Sequence, residues 1–324
     1  MKFAIVGAGA TGGFLGAHLA RAGEDVTLVA RGANLRALLE NGVTVRGPEG
    51  EFKARPRSTD DLAGAVAAAD TVFLTVKAHA VTAIAPQLGA ALRPEASLLT
   101  AQNGIPWWYF IGAAGPLEGT RLESVDPGGV IADSIDVRRV VACIVYPATN
   151  LVAPGVVEHV EGSRFSIGEL DGARSERCRA ISAVLSRAGL KCPVQTRIRP
   201  EIWLKLLGNA TLNPVSALTR GTLAAITGDE PSRALVRTLM SEVDAVARAA
   251  GVEVDLGIER RLEGAAGVGE HRTSMLQDVE AGRPLEVEAL VGSVVELGRL
   301  LEVPTPALEV VYTLTRGLSA ALSS

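Results

Sequence analysis

The stretch FAIVGAGATGGFLGAHLARAGEDVTLVARG, Phe3 to Gly32, decides the fold. Four apolar residues run straight into GAGATG and then into a helix-forming segment that carries Gly16. In that setting Gly7 permits a tight turn after a strand, Gly9 lets the backbone approach a pyrophosphate, and Gly12 allows helix and strand to pack closely. The N-terminus of the helix then offers free N–H groups to phosphate. An apolar, small-residue run behind Lys2 also resembles a secretory leader. The glycines that break it, and the strand-like VTLVAR that follows, instead complete a Rossmann-type folding unit.

The second strand of such a unit separates NAD from NADP, because an acidic side chain at its end binds the ribose 2′-hydroxyl and repels a 2′-phosphate. Here VTLVARG ends in Ala30 and Arg31. Arg31 can grip a phosphate, which favours NADP(H). The alternative is a solvated arginine with less selective NAD binding.

Outward from this unit, apolar strands alternate with amphipathic helices: ANLRALLENG, DTVFLTVKA, VTAIAPQLGAAL and SLLTAQNG. That alternation specifies a doubly wound parallel sheet covered by helices. Lys77 in LTVKA and Asn103 in AQNG stand just past two of these strands, where open α/β sheets bind ligands. His79 reads as a helix-start residue. The β-rich segments VVACIVYP, VVEHV and FSIGEL read as the far side of the same sheet, with an antiparallel edge, followed by a helix over 175–188 and a short strand near 193–196. From Arg199 the periodicity becomes helical, with segments at 200–212, 232–250, 256–265, 273–281, 285–302 and 305–318. Two domains are therefore expected: a Rossmann-type dinucleotide-binding domain over 1–198 and an all-helical domain over 199–324.

Composition narrows the function. A net charge of -4 without any block of like charges argues against a nucleic-acid surface. Cys143, Cys178 and Cys192 are odd in number and lack C-x-x-C spacing, which indicates neither a disulfide framework nor a zinc ribbon and fits a reducing, cytoplasmic compartment. No apolar run approaches the roughly 20 residues that span a bilayer.

A second stretch, EIWLKLLGNATLNPVSALTRG from Glu201 to Gly221, spaces Lys205, Asn209 and Asn213 four apart in apolar text. On one helix they form a single polar stripe. Either Lys205 snorkels its amine to water, or the stripe serves chemistry in which a nicotinamide enzyme needs a proton donor at a developing alkoxide. Pro214 disfavours helical geometry at Asn213, so the helix is expected to end or bend there.

Taken together, GAGATGG, Arg31 after the second strand, TVKA, QNG, the W-x-K-x-x-x-N-x-x-x-N-P pattern, HRTSMLQD and GRPLEVEALVG resemble the ketopantoate reductases (2-dehydropantoate 2-reductases), in the same order and over nearly the whole chain. The resemblance implies NADPH-dependent reduction of the 2-oxo group of ketopantoate to pantoate, a step toward pantothenate and coenzyme A. It implies Lys205 as general acid and Glu286 as its acidic partner near the substrate hydroxyl. It also implies Asn209, Asn213 and Ser274 on the substrate, and Gly7, Gly9, Gly12, Arg31, Lys77 and Asn103 on the cofactor, with no metal. Without the resemblance, Ser274 reads as a helix-cap neighbour and Glu286 as a helix-start residue behind Pro284.

The chain departs from the family pattern in two places. IPWWYFIG follows QNG and gathers four of the 12 aromatic residues at Trp107, Trp108, Tyr109 and Phe110, followed by an irregular loop to Arg139. These rings could line a pocket, close it as a lid, pack a subunit contact or pack the core. Leu285 and Glu288 stand where the family pattern often has threonine and aspartate. A reductase of another 2-oxo or β-keto acid, and a non-catalytic NADP(H) sensor, are the alternatives. The apolar face of the segment 285–302 suits a homodimer interface as readily as a core.

Overall fold

A computed structural model describes residues 1–113, 115–254 and 256–323. The chain folds as two compact units. The first comprises Met1–Gln102, Phe110–Gly119 and Gly128–Ile198; the second comprises Asn103–Tyr109, Thr120–Pro127 and Arg199–Ser324.

In the first unit the strands are β1 (Lys2–Val6), β2 (Asp25–Val29), β3 (Val43–Gly47), β4 (Gly50–Ala54), β5 (Arg57–Thr59), β6 (Thr71–Leu74), β7 (Ser97–Thr100), β8 (Val140–Val145), β9 (Ala148–Ala153), β10 (Val156–Glu161) and β11 (Phe165–Gly168). The helices are α1 (Ala10–Arg21), α2 (Gly32–Asn41), α3 (Leu62–Ala68), α4 (Val81–Ala91), α5 (Val130–Ser134) and α6 (Glu176–Arg187). Seven strands form one sheet in the order β11-β8-β7-β6-β1-β2-β5. Every neighbouring pair is parallel except β11 on β8, so the expected antiparallel edge is present. β6, β7 and β8 are buried at every residue, as continuous apolar runs in a covered parallel sheet must be.

The segment VVEHV does not extend this sheet. It forms β10 in a separate four-stranded sheet, ordered β4-β3-β10-β9, built from two hairpins joined by a parallel β3–β10 pairing. Helix α1 packs against β1 and β2 of the first sheet and against β3, β4, β9 and β10 of the second. Gly13 makes that second contact close, since a Cβ there would stand 2.9 Å from Val157 Cγ2. His18, also on α1, is buried, with its Nδ1 3.1 Å from the Ala188 carbonyl and its ring 4.5 Å from that of Phe14.

The second unit is built on α7 (Ile198–Asn209), α8 (Leu212–Thr219), α9 (Leu223–Gly228), α10 (Glu230–Ala249), α11 (Ile258–Gly267), α12 (Ser274–Glu280), a π-helical turn (Glu288–Gly292), α13 (Ser293–Leu300) and α14 (Pro306–Ser323). α10 buries Val236, Leu239, Met240, Val243 and Val246 along one face and packs on α9, α11, α13 and α14. Its Glu242 carboxylate accepts from the N–H groups of Ala307 and Leu308 at 2.9 and 2.8 Å, which caps α14. The expected helix over 285–302 is instead a π turn followed by α13, and its apolar residues Val291, Val294, Val295 and Leu297 lie in the core.

The aromatic run also belongs to the core. Trp107, Trp108, Tyr109 and Phe110 are all buried, and the Trp203 indole N–H of α7 donates to Tyr109 Oη at 2.7 Å, which rules out an exposed lid. Burial pushes the Tyr109 phenol well above its ordinary value, so it stays a neutral hydrogen-bond partner.

Tyr109→Phe leaves the Trp203 N–H buried without its acceptor and is expected to cost about 1–3 kcal/mol in urea-induced unfolding; an unchanged midpoint would show that the bond contributes nothing. Burial, opposed by the Ala188 carbonyl and aided by the Arg21 charge, holds the His18 imidazole below its ordinary 6.5. A depressed imidazole value means that His18 supports the fold fully above that pH and loses support as pH falls. Between about pH 7 and about pH 5 the thermal midpoint of the native chain should therefore drop further than that of His18→Leu, and parallel drops would contradict this.

Candidate active site

β1 delivers Gly7 with φ 107, a backbone conformation that side chains rarely adopt. A Cβ on Gly7 would meet Val76 N at 2.7 Å, and one on Gly12 would fall on the Gly7 carbonyl and on Thr75 Oγ1 at 2.6 Å. Gly9 differs from both: nothing lies within 4 Å of where its Cβ would be. Helix α1 starts at Ala10 with no side-chain cap on Gly9. Open space over Gly9 and an uncapped helix start suit a pyrophosphate, so the residues present fit a dinucleotide.

Three residues that sequence reasoning missed hold this loop. Thr75 Oγ1 donates to the Gly7 carbonyl at 2.8 Å, and Gln102 Nε2 donates to the carbonyls of Leu74 and Val76 at 2.8 and 3.0 Å. Asn34 of α2 donates to the Ala8 carbonyl at 2.6 Å and accepts from Gly155 N–H at 2.8 Å, tying the loop to the β9–β10 turn. Thr75 and Gln102 stand beside the motif residues Lys77 and Asn103, a usable signal; nothing in the sequence marks Asn34.

Arg31 follows β2 after the buried Ala30, is exposed, and serves as the N-cap residue of α2. Lys77 is half-buried three residues beyond β6, before a 3-10 turn that contains the exposed His79. Gly7, Gly9, Gly12, Arg31 and Lys77 thus all lie in the first unit.

Asn103 lies in the second unit, where its Oδ1 accepts a hydrogen bond from Lys205 Nζ at 2.6 Å. Lys205 and Asn209 are half-buried one turn apart on α7, while Trp203, Leu206 and Leu207 bury the opposite face. The three-member stripe is broken. α7 ends at Asn209, the Thr211 hydroxyl donates back to the Leu207 carbonyl at 2.7 Å, and α8 restarts at Leu212 with Pro214 in its first turn. Proline is tolerated in a first turn, where no intrahelical donor is required of it. Asn213 is therefore on α8, buried, with its Nδ2 donating to Ser274 Oγ at 3.4 Å.

Ser274 is the exposed first residue of α12, and the cap is its neighbour Thr273, whose hydroxyl accepts from Leu276 N–H at 3.2 Å. Glu286 is buried, 8% exposed, two residues before the π turn. Arg261 of α11 lays its guanidinium along the Gly208 backbone, where a Cβ would stand 2.9 Å from Cζ; no motif pointed to it. The second unit thus contains an ammonium on a carboxamide, a second carboxamide on a hydroxyl, and a buried carboxyl. Such a set can donate a proton and hold a small polar molecule. Among the described residues no cluster of three or more His, Cys, Asp or Glu side chains could hold a metal ion, and no helix is long and apolar enough to cross a membrane.

Residues 3–172 match the family model described as ketopantoate reductase PanE/ApbA, and residues 197–319 match that of the ketopantoate reductase PanE/ApbA C terminal. A 2-dehydropantoate 2-reductase of Mesorhizobium japonicum is 50% identical over 320 residues, 98% of each chain, and one of Halobacterium salinarum is 28% identical over 98% of each. The crystal structure of a putative ketopantoate reductase from Ralstonia solanacearum superposes with a TM-score of 0.93 at 39% identity, covering 99% of this chain and 98% of that one. Identity of one residue in two, sustained from end to end of both chains, accounts for both units at once: this chain belongs to the ketopantoate reductase family of nicotinamide-dependent oxidoreductases acting on CH–OH donors.

Proposed function

We propose that the protein reduces the 2-oxo group of ketopantoate to pantoate with NADPH, and that Lys205 is the general acid. The observation that carries this reading is the hydrogen bond of 2.6 Å from Lys205 Nζ to Asn103 Oδ1. An ammonium has three donors, so it can hold a carboxamide and still serve a second acceptor. The 50% identical 2-dehydropantoate 2-reductase of Mesorhizobium japonicum supports the choice of substrate.

When bound, the reduced nicotinamide supplies a hydride to C2 of the 2-oxo acid. Negative charge then grows on the carbonyl oxygen, where Lys205 stabilises it and gives up its proton. The buried Glu286 orients that ammonium and the product hydroxyl. Asn209, with the Asn213–Ser274 pair, holds the rest of the substrate. For the cofactor, Gly7, Gly9 and Gly12 leave room for the pyrophosphate, Lys77 and Asn103 each bind the dinucleotide, and the exposed Arg31 pairs with the 2′-phosphate. Chain segments 1–198 and 199–324 serve as cofactor and substrate domains in this reading. It implies a cytoplasmic setting, and the exposed Val310 and Leu314, one turn apart on α14, suit association as a homodimer.

The aromatic run no longer favours a bulkier substrate, because it is buried and holds α7 through Trp203. The Lys205–Asn103 hydrogen bond weighs against a sensor without turnover, which has no use for an oriented proton donor.

Lys205→Ala should lower the initial rate of NADPH oxidation with ketopantoate by about 10²–10⁴-fold while NADPH binding, read by fluorescence, persists; wild-type turnover in this variant would exclude the general-acid role. Arg31→Ala should raise the KM for NADPH by about 10–100-fold and leave that for NADH unchanged. Equal effects on the two nucleotides would remove Arg31 from the 2′-phosphate.

A further inference from the structure

The segment that carries Glu286 does not continue as a regular α-helix. Glu288–Gly292 is a π-helical turn, and the N–H of Ser293 reaches back five residues to the Glu288 carbonyl. In an α-helical ladder it would donate to Ala289 instead, so the extra residue takes this donor away from the Ala289 carbonyl. Ala289 and Ser293 are buried at 5% and 0% exposure, and a released carbonyl there needs new donors. The Ser293 hydroxyl reaches it at 2.7 Å and the backbone N–H of Ile105 at 3.3 Å.

The second donor comes from the chain that follows Asn103. Between them, Gly104 has φ 96, and a Cβ there would fall on the Ala289 carbonyl oxygen and stand 2.6 Å from its carbon. Only a glycine lets the two backbones meet. On one side of the contact Asn103 holds Lys205 Nζ; on the other, Glu286 stands three residues before Ala289. π turns are rare, and they concentrate at functional sites.

We propose that Gly104 and the carbonyl released at Ala289 form a positioning contact that sets the Asn103 carboxamide, and through it the Lys205 ammonium, against the segment carrying Glu286. Neither Gly104 nor Ala289 touches the reacting atoms; both are positioning residues. The inference rests on the reading of Lys205 as general acid. A methyl group on Gly104 has no room, so the backbones must separate and carry Asn103 away from its place.

The test is steady-state kinetics with ketopantoate and NADPH on Gly104→Ala, Asn103→Ala, the double variant and Lys205→Ala. Gly104→Ala should lower kcat by about 100-fold. In the Asn103→Ala background the same change should cost nothing further, because the group it positions is gone. A kcat within about twofold of wild type, or an undiminished loss in the Asn103→Ala background, overturns the proposal. Should Gly104→Ala fail to fold, Ser293→Ala removes one donor to the Ala289 carbonyl. Its kcat should fall by about fivefold, with the same dependence on Asn103, and independence from Asn103 overturns the proposal. Wild-type turnover in Lys205→Ala would instead sink the general-acid reading alone, leaving an Asn103-dependent effect of Gly104 standing.

Discussion

The hydrogen bond from Lys205 Nζ to Asn103 Oδ1 is the constraint around which the helical unit is arranged. A lysine on a helix that is otherwise apolar must either reach water or meet a partner, because a desolvated ammonium is costly. Here the partner arrives from far away in sequence. β7 ends at Thr100 in the first unit, and the residues directly after Gln102 leave it to pack with the helices. Everything that secures this excursion therefore also secures the lysine.

Three contacts secure it. Tyr109 accepts from the Trp203 indole and its carbonyl accepts from Arg199 Nε at 2.8 Å, so the far end of the excursion is bolted to α7 itself. Ile105 donates to Ala289 near the start. The aromatic run, the feature of this chain that fits the family pattern least, is in this sense scaffolding: its rings are buried, and Tyr109 holds Trp203 on the helix that carries Lys205. The same logic explains why α7 stops at Asn209. Ending the helix puts Asn213 on α8, where it meets Ser274.

Much of this was legible beforehand, and what was not has a consistent cause. The glycine loop was readable because its requirements are local: positive φ, close approach and a helix start all fall within a few residues. Pro214 marked the break in the stripe for the same reason. The second sheet was not readable, because β10 mixes apolar and polar residues on both faces and pairs with β3 only across more than a hundred residues of chain. The π turn was invisible too. LEVEALVGSVVELGRLL has uninterrupted helical periodicity, and the extra residue is stabilised by a donor from Ile105 that no local pattern encodes.

By itself, then, the amino-acid sequence determined the Rossmann-type half, the helical half and the glycine loop, because turns, caps and apolar periodicity are enforced within a few bonds of the residues that show them. Only the tertiary structure decided that Asn103 partners Lys205, that the aromatics are core, that Asn34 and Thr75 hold the glycine loop, and that Gly104 lies against the Ala289 carbonyl. Each of these depends on a group supplied by a distant segment, and burial selects such a partner only once the chain has folded around it.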